Sequence, residues 1–257
     1  MNYLEIENLH MDYDNISIDF SANLEKGKTL VIVGHSGSGK STILRMIAGL
    51  LPSGKNAKIH LDNKDITKLP PNKRDIGMVF QSPCLFEHLK IIDNATFALD
   101  CKGMSKKQRH EIGKDWLKRF GLDSMENRFP HTLSGGEAQR VSLVRTLIAE
   151  HKVVLFDEPF SALDALLRKK LTADLSSWQK ELGFTAILVT HDIEEAKKIK
   201  KDVNILLEDS RLYNHIKHLN INNIYTEDIN LFNNNDSRLI LKIPRVVNNN
   251  INYTYPL

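Results

Sequence analysis

Along the chain the apolar positions change period repeatedly, and each change marks an element. Apolar and polar residues alternate over Tyr3 to Leu9 and Ile16 to Phe20, the period of half-buried strands, and Lys26-Gly27-Lys28 reads as the turn before a third. Thr29 to Val33 is a short apolar run, the pattern of a strand buried on both faces. Lys40 to Leu51 switches to helical spacing, with Ile43, Leu44, Met46, Ile47 and Leu50 on one face and Pro52 and Gly54 as the stop. A β segment around Lys58 to Leu61 and the turn-rich Leu69 to Arg74 lead to the strand Ile76 to Phe80, which ends at Gln81. From Ser82 to about Pro130 the texture is helical, clearest over Ser105 to Phe120, which Ser105 caps and Gly121 ends. Strand Val153 to Phe156, helix Ala165 to Glu181, strand Thr185 to Val189 and helix Ile193 to Ile199 follow.

Strands alternating with helices predict an α/β fold, a mainly parallel sheet with its ligand site beyond the strands' C-terminal ends. The helical stretch about 82–130 interrupts that alternation and reads as an inserted helical subdomain. Residues 1–207 form the main domain in this reading. From 208 to 257 the chain turns Asn-rich, with Asn222-Asn223, Asn233-Asn234-Asn235 and Asn248-Asn249-Asn250; Arg238 to Ile243 and Arg245 to Val247 are faintly strand-like. That tail is either a small appendage or partly disordered.

Chemistry enters at the end of the third strand. Gly34-His35-Ser36-Gly37-Ser38-Gly39-Lys40-Ser41 is a complete phosphate-binding loop, in the strand-to-helix setting that the motif requires. Its glycines let backbone N–H groups close around phosphates, Lys40 reaches the β and γ phosphates, and the Ser41 hydroxyl suits Mg²⁺. Asp157 ends an apolar strand, where a carboxylate can face a metal shell, and Glu158 beside it can polarise a water. His191, at the end of a parallel strand, can reach the same face. Further on, Leu133 precedes Ser134-Gly135-Gly136-Glu137, a second turn that opens an apolar-periodic run, Ala138 to Ala149, as an anion-binding helix N-terminus. One nucleotide does not need two such sites unless two chains share it.

Taken in order, these residues resemble the ATP-binding cassette family, the ATPase subunits of membrane transporters, over roughly residues 3 to 207. The resemblance implies a P-loop NTPase core with a mainly parallel sheet, an antiparallel β subdomain and an inserted helical subdomain. Tyr13 falls where the family's adenine-stacking aromatic lies. Gly34, His35, Ser36, Gly37, Ser38, Gly39, Lys40, Ser41 and Thr42 match the phosphate loop, with His35 in a variable position. Gln81, in Met78-Val79-Phe80-Gln81, matches the Q-loop glutamine, and Leu133 to Glu137 the signature motif, with Glu137 replacing its commonest residue, Gln. Val153 to Glu158 matches Walker B, Ser161-Ala162-Leu163-Asp164 the D-loop and His191 the switch histidine. The resemblance therefore implies Glu158, His191 and Gln81 as catalytic residues, and Ser41, Gln81 and Asp157 around Mg²⁺. It implies Ser134, Gly135, Gly136, Glu137 and Asp164 as contacts to ATP held across a head-to-tail dimer.

The stretch Leu69 to Gln81, then Leu85 to Leu89 and Asp93-Asn94, looks like the importer group serving thiamine, polyamines, ferric iron, sulfate or molybdate. The implied partners are a second ATPase subunit, identical or paired, transmembrane permease subunits and a solute-binding protein. The implied place is the cytoplasmic face of the inner membrane, held peripherally. The alternatives are an exporter or lipoprotein-release ATPase, and a soluble cassette protein without a transporter.

Composition changes this picture little. At 257 residues with a net charge of +3, the chain can bury a sizeable core, and it shows no basic face of the kind nucleic acid requires. Arg168-Lys169-Lys170 and Lys197 to Lys201 lie in helical patterns flanked by acids and read as solvated faces. No apolar run approaches the ~20 residues of a spanning helix, and Met1 to Glu5 lacks the pattern of a signal peptide. Cys84 and Cys101 have neither ligand spacing nor a disulfide framework, which suits a reducing compartment.

Overall fold

A computed structural model describes residues 2–13, 16–34, 37–192, 203–207, 223–226 and 238–242, the last three segments by their backbone. Two sheets carry the fold. The first is built on β1 (Leu4–Tyr13), β2 (Ile16–Leu24), β4 (Lys58–Leu61) and β5 (Lys64–Asp65), paired antiparallel in the order β2-β1-β4-β5. The second has the order β10-β9-β3-β8-β7-β6 and is parallel throughout, from β3 (Thr29–Val33), β6 (Ile76–Val79), β7 (Val153–Asp157), β8 (Thr185–Thr190), β9 (Val203–Leu207) and β10 (Asn223–Thr226).

Period-2 alternation decides which core each strand residue enters. Leu30, Ile32, Val153, Leu155, Ile187 and Val189 point into one apolar cluster, with β1, β2 and helix α1 (Lys40–Ala48). Val31, Val33, Val154, Phe156, Ala186 and Leu188 point into the other, beneath the helices. Both faces of β3, β8 and β7 are therefore dry, which explains why these strands read as unbroken apolar runs.

The helical layer holds α2 (Ile91–Ala95), α3 (Phe97–Cys101) and α4 (Lys106–Arg119), with Ser105 accepting a cap bond from Gln108 N. It does not stop near 130. Helix α5 (Gly135–Leu147) packs on α2 and α4 and shares one apolar cluster with them, through Val141, Leu143, Val144 and Leu147. Helix α6 (Ala165–Leu182) joins the same cluster through Leu171, Leu175 and Trp178.

Several boundaries differ from the periodicity, each for a local reason. β1 runs on to Tyr13 because a bulge at Asn8, with φ of 53°, slips the phase by one, so that Leu4 and Ile6 and then Leu9 are the buried positions. Helix α1 ends at Ala48, three residues early, because Gly49 turns left-handed and the Leu50 and Leu51 N–H groups return to the Arg45 carbonyl. The tail also contributes strands: β10 lies at the edge of the parallel sheet, and β11 (Arg238–Lys242) pairs parallel with β2. The helix expected over 193–199 and the strand expected over 245–247 lie outside the described residues.

Candidate functional site

Register brings the site together. β3, β8 and β7 are neighbours, with Val33 opposite Thr190 and Asp157 opposite Val189, so Gly34, His191 and Glu158 leave the sheet at one edge. β6 lies beside β7 with Val79 opposite Phe156, which delivers Gln81 to the same edge. The glycine loop follows β3. Gly37 and Gly39 take φ of 88° and 89°, and a Cβ on Gly39 would strike Ile18, so that position needs glycine twice over. Lys40 is buried, and its Nζ donates to Ser38 Oγ at 3.0 Å. Thr42 is half-buried on the first turn of α1.

The Ser41 hydroxyl donates to Asp157 Oδ1 at 2.7 Å. Burial pushes the Asp157 carboxyl up from its ordinary pKa; the Ser41 bond opposes that shift without cancelling it. Beside it Glu158 sits at φ of 45°, unusual for a side-chain-bearing residue, just ahead of Pro159. Three bonds fix that backbone: Glu158 N donates to Val189 O at 3.0 Å, and the Ser161 N–H and hydroxyl donate to Glu158 O at 3.2 and 3.0 Å. The Glu158 carboxylate faces Gln81 Nε2 at 3.4 Å and His191 Nδ1 at 3.0 Å, and its side chain is 13 % exposed. Ser41, Asp157, Glu158, Gln81 and His191 thus form one constellation, as their sequence positions predict.

Ser134 to Glu137 form a second set. The Ser134 N–H and hydroxyl both donate to Glu137 Oε2, at 2.7 and 2.8 Å, and Glu137 N returns a bond to Ser134 Oγ at 3.3 Å. This is a capping box, and it explains why glutamate serves at this position. The Ser134 N–H bond, chiefly, holds the Glu137 carboxyl below its ordinary pKa. Ser134 and Gly135 remain exposed. The two sets meet at the turn before α6, where a Cβ on Gly136 would lie 3.2 Å from Leu163 Cδ2. Asp164 caps α6, accepting from the Leu166 and Leu167 N–H groups at 3.1 and 2.9 Å. His35, Ser36 and the side chain of Tyr13 lie outside the described residues.

Four arginine and amide side chains have bonds to backbone carbonyls that no sequence pattern marks. Arg168 does not join its lysine neighbours on a solvated face; it turns inward, onto Leu163 O at 3.1 Å. Gln139, buried in α5, donates to Phe80 O at 3.1 Å, one residue before Gln81. Arg145 donates to Pro83 O and Cys84 O, holding the segment after Gln81 on the signature helix. Asn94 organises the following loop, bonding the Phe86 N–H and carbonyl and the Leu89 carbonyl. Cys84 and Cys101 are free and exposed, and no described helix is long and apolar enough to cross a membrane.

The profile of the ABC transporter family matches residues 18–161. The Fe(3+) ions import ATP-binding protein FbpC of Agrobacterium fabrum is 42 % identical over 190 residues, 74 % of this chain and 54 % of the relative. The FbpC 1 protein of Rhizobium meliloti is 42 % identical over 194 residues, 76 % of this chain and 54 % of the relative. The molybdate/tungstate import ATP-binding protein WtpC of Pyrococcus horikoshii is 38 % identical over 205 residues, 79 % of this chain and 59 % of the relative. The chain spans a little over half the length of these relatives.

Proposed function

The chain belongs to the ABC transporter family, and from that premise we propose that it is the ATP-hydrolysing subunit of a membrane importer for a small solute. The observation that carries this reading is the convergence of Ser41–Asp157 and Gln81–Glu158–His191 on one sheet edge beside the glycine loop. Lys40 and the loop N–H groups bind the phosphates. Glu158, whose carboxylate is contacted by His191 Nδ1 and Gln81 Nε2, polarises the attacking water. His191 and Gln81 hold the Glu158 carboxylate on the two sides from which they contact it.

The donor set fits Mg²⁺. Ser41 Oγ and Asp157 Oδ1 are hard oxygen donors side by side, and Asp157 is buried with its charge incompletely compensated. Mg²⁺ bound there would neutralise phosphate charge, and its usual preference for one or two protein oxygens plus phosphates matches so small a donor set.

ATP is shared between two chains in this reading, Lys40 of one facing Ser134 to Gly136 of the other, and the exposure of Ser134 and Gly135 supports it. Permease subunits supply the membrane path, and this chain is held on them peripherally, at the cytoplasmic face of the inner membrane. A cavity of about 460 Å³ lined by His88, Leu89, Lys90, His110 and Phe129, among others, offers the helical layer a place to dock a permease segment. The relatives named for iron and molybdate import support the importer direction and a solute-binding protein as further partner.

Phosphate release by the full chain with ATP and Mg²⁺ tests the assignment. Lys40→Ala should weaken ATP binding by roughly 10- to 100-fold, since a charge-assisted contact contributes about 1.5–3 kcal/mol. A wild-type chain that releases no phosphate, or a Lys40→Ala variant that binds ATP as tightly as wild type, overturns it.

A further inference from the structure

Glu158 and His191 sit on different loops, after β7 and after β8, and their 3.0 Å approach depends on whatever holds those loops together. The ladder pairs Asp157 with Val189, and one more backbone bond, Glu158 N to Val189 O at 3.0 Å, holds the first loop, which leaves His191 beyond the pairing. The side chain that spans the gap is Arg168, from the first turn of α6. Helical side chains lean toward the N-terminus of their helix, which aims this one back at the preceding turn. Its Nη2 donates to Leu163 O at 3.1 Å and reaches Ser161 O at 3.5 Å, while its Nη1 reaches Asp192 Oδ2 at 3.4 Å. Ser161 in turn holds the Glu158 carbonyl, and Asp192 directly follows His191, with its own N–H fixed on Thr190 Oγ1 at 3.0 Å.

We propose that Arg168 is a positioning residue for hydrolysis, clamping the 161–163 turn to Asp192 so that Glu158 and His191 stay in register. The planar fork is what the task needs, because one guanidinium can serve carbonyls on one loop and a carboxylate on the other at fixed angles. A lysine could satisfy only one of the two loops at a time. Among the described residues the Arg168 guanidinium bonds Ser161, Leu163 and Asp192, so it governs the chemical step and leaves nucleotide binding alone. Because Leu163 also abuts Gly136, the same clamp ties the signature turn to the hydrolytic pair within one chain.

The inference rests on the reading of Glu158 as the group that polarises water, and steady-state ATPase kinetics on the full chain separate the two. Arg168→Ala should lower kcat about 10-fold or more, as small misplacements of reacting groups do, with KM for ATP and equilibrium ATP binding within about twofold of wild type on the same uniform-binding logic. Arg168→Lys should recover only part of the loss. Asp192→Asn should lower kcat too, and combining it with Arg168→Ala should cost little beyond the alanine change alone, because the two groups act as one unit. Thermal melting of each variant checks folding, and if Arg168→Ala does not fold, Arg168→Lys and Asp192→Asn decide the question. An inactive wild-type chain would remove the Glu158 reading and this inference with it. An active wild type with Arg168→Ala or Arg168→Lys at full kcat, or with losses that simply multiply in the double variant, would overturn the Arg168 assignment alone.

Discussion

Asp157 is held in a setting that costs the folded protein something. Its carboxyl is buried, the Ser41 hydroxyl offers a single strong bond, and burial wins, so its pKa is raised. A raised carboxyl pKa means that the fold disfavours the charged form. The penalty is present at neutral pH and is relieved as pH falls through the raised value. Asp157→Asn keeps an oxygen to accept from Ser41 and removes the charge. Without nucleotide or metal it should melt higher than wild type at pH 7, each 1 kcal/mol being about 2–4 °C at this chain length, and the difference should shrink on acidification. Hydrolysis should be lost in the same variant, the usual opposition of stability and function at a charged site. Differential scanning fluorimetry across pH together with phosphate release checks both halves. An Asn variant less stable than wild type at pH 7 would mean that Asp157 is already compensated.

Helix α5 shows how one element serves two ends. Its N-terminus is satisfied from within by Glu137, whose depressed pKa contributes stability above the unfolded value that is lost as pH falls through the folded one. The same carboxylate occupies the Ser134 N–H and hydroxyl that would face a partner chain's nucleotide. Glu137→Gln keeps an acceptor for the cap and removes the negative charge. It should weaken the helix N-terminus slightly, by about 0.3–1 kcal/mol at most before screening. It should also strengthen ATP-driven association, because an anion no longer sits beside the phosphates. Melting without ATP and sedimentation with ATP should therefore move in opposite directions, and a variant that weakens both would leave Glu137 a purely favourable contact. The helix start was legible, as a Ser-Gly-Gly turn ahead of an apolar run, whereas the capping box that Glu137 closes on it is seen only in the structure. Legible too were β3, β7 and β8, whose unbroken apolar runs follow from burial on both faces. What the sequence hid was long-range. Arg168 looks like one more cation beside Lys169 and Lys170, and nothing local marks the carbonyls and carboxylate it spans. Gln139 and Arg145 hide in the same way, because a backbone carbonyl 59 to 62 residues away leaves no signature in composition. The bulge at Asn8 hid the second half of β1 by shifting its phase.

At the scale of the whole molecule, the nucleotide constellation lies within residues 34 to 192, while β10 and β11 add strands at the outer edges of the two sheets. An edge strand protects a sheet without closing its core. Removing residues 208–257 should therefore leave a folded chain that binds ATP with wild-type affinity, read by nucleotide titration and circular dichroism. An insoluble product would make those edges part of the core. The account as a whole turns on Glu158 acting upon ATP held by the glycine loop, and the Glu158→Gln variant of the full chain, incubated with Mg²⁺ and γ-labelled ATP and then passed over a sizing column, tests it most directly. The account predicts that labelled ATP elutes intact with the protein, in a dimer, with phosphate release at least ~10²-fold below wild type. Phosphate release at the wild-type rate, or a variant that retains no ATP, would contradict it.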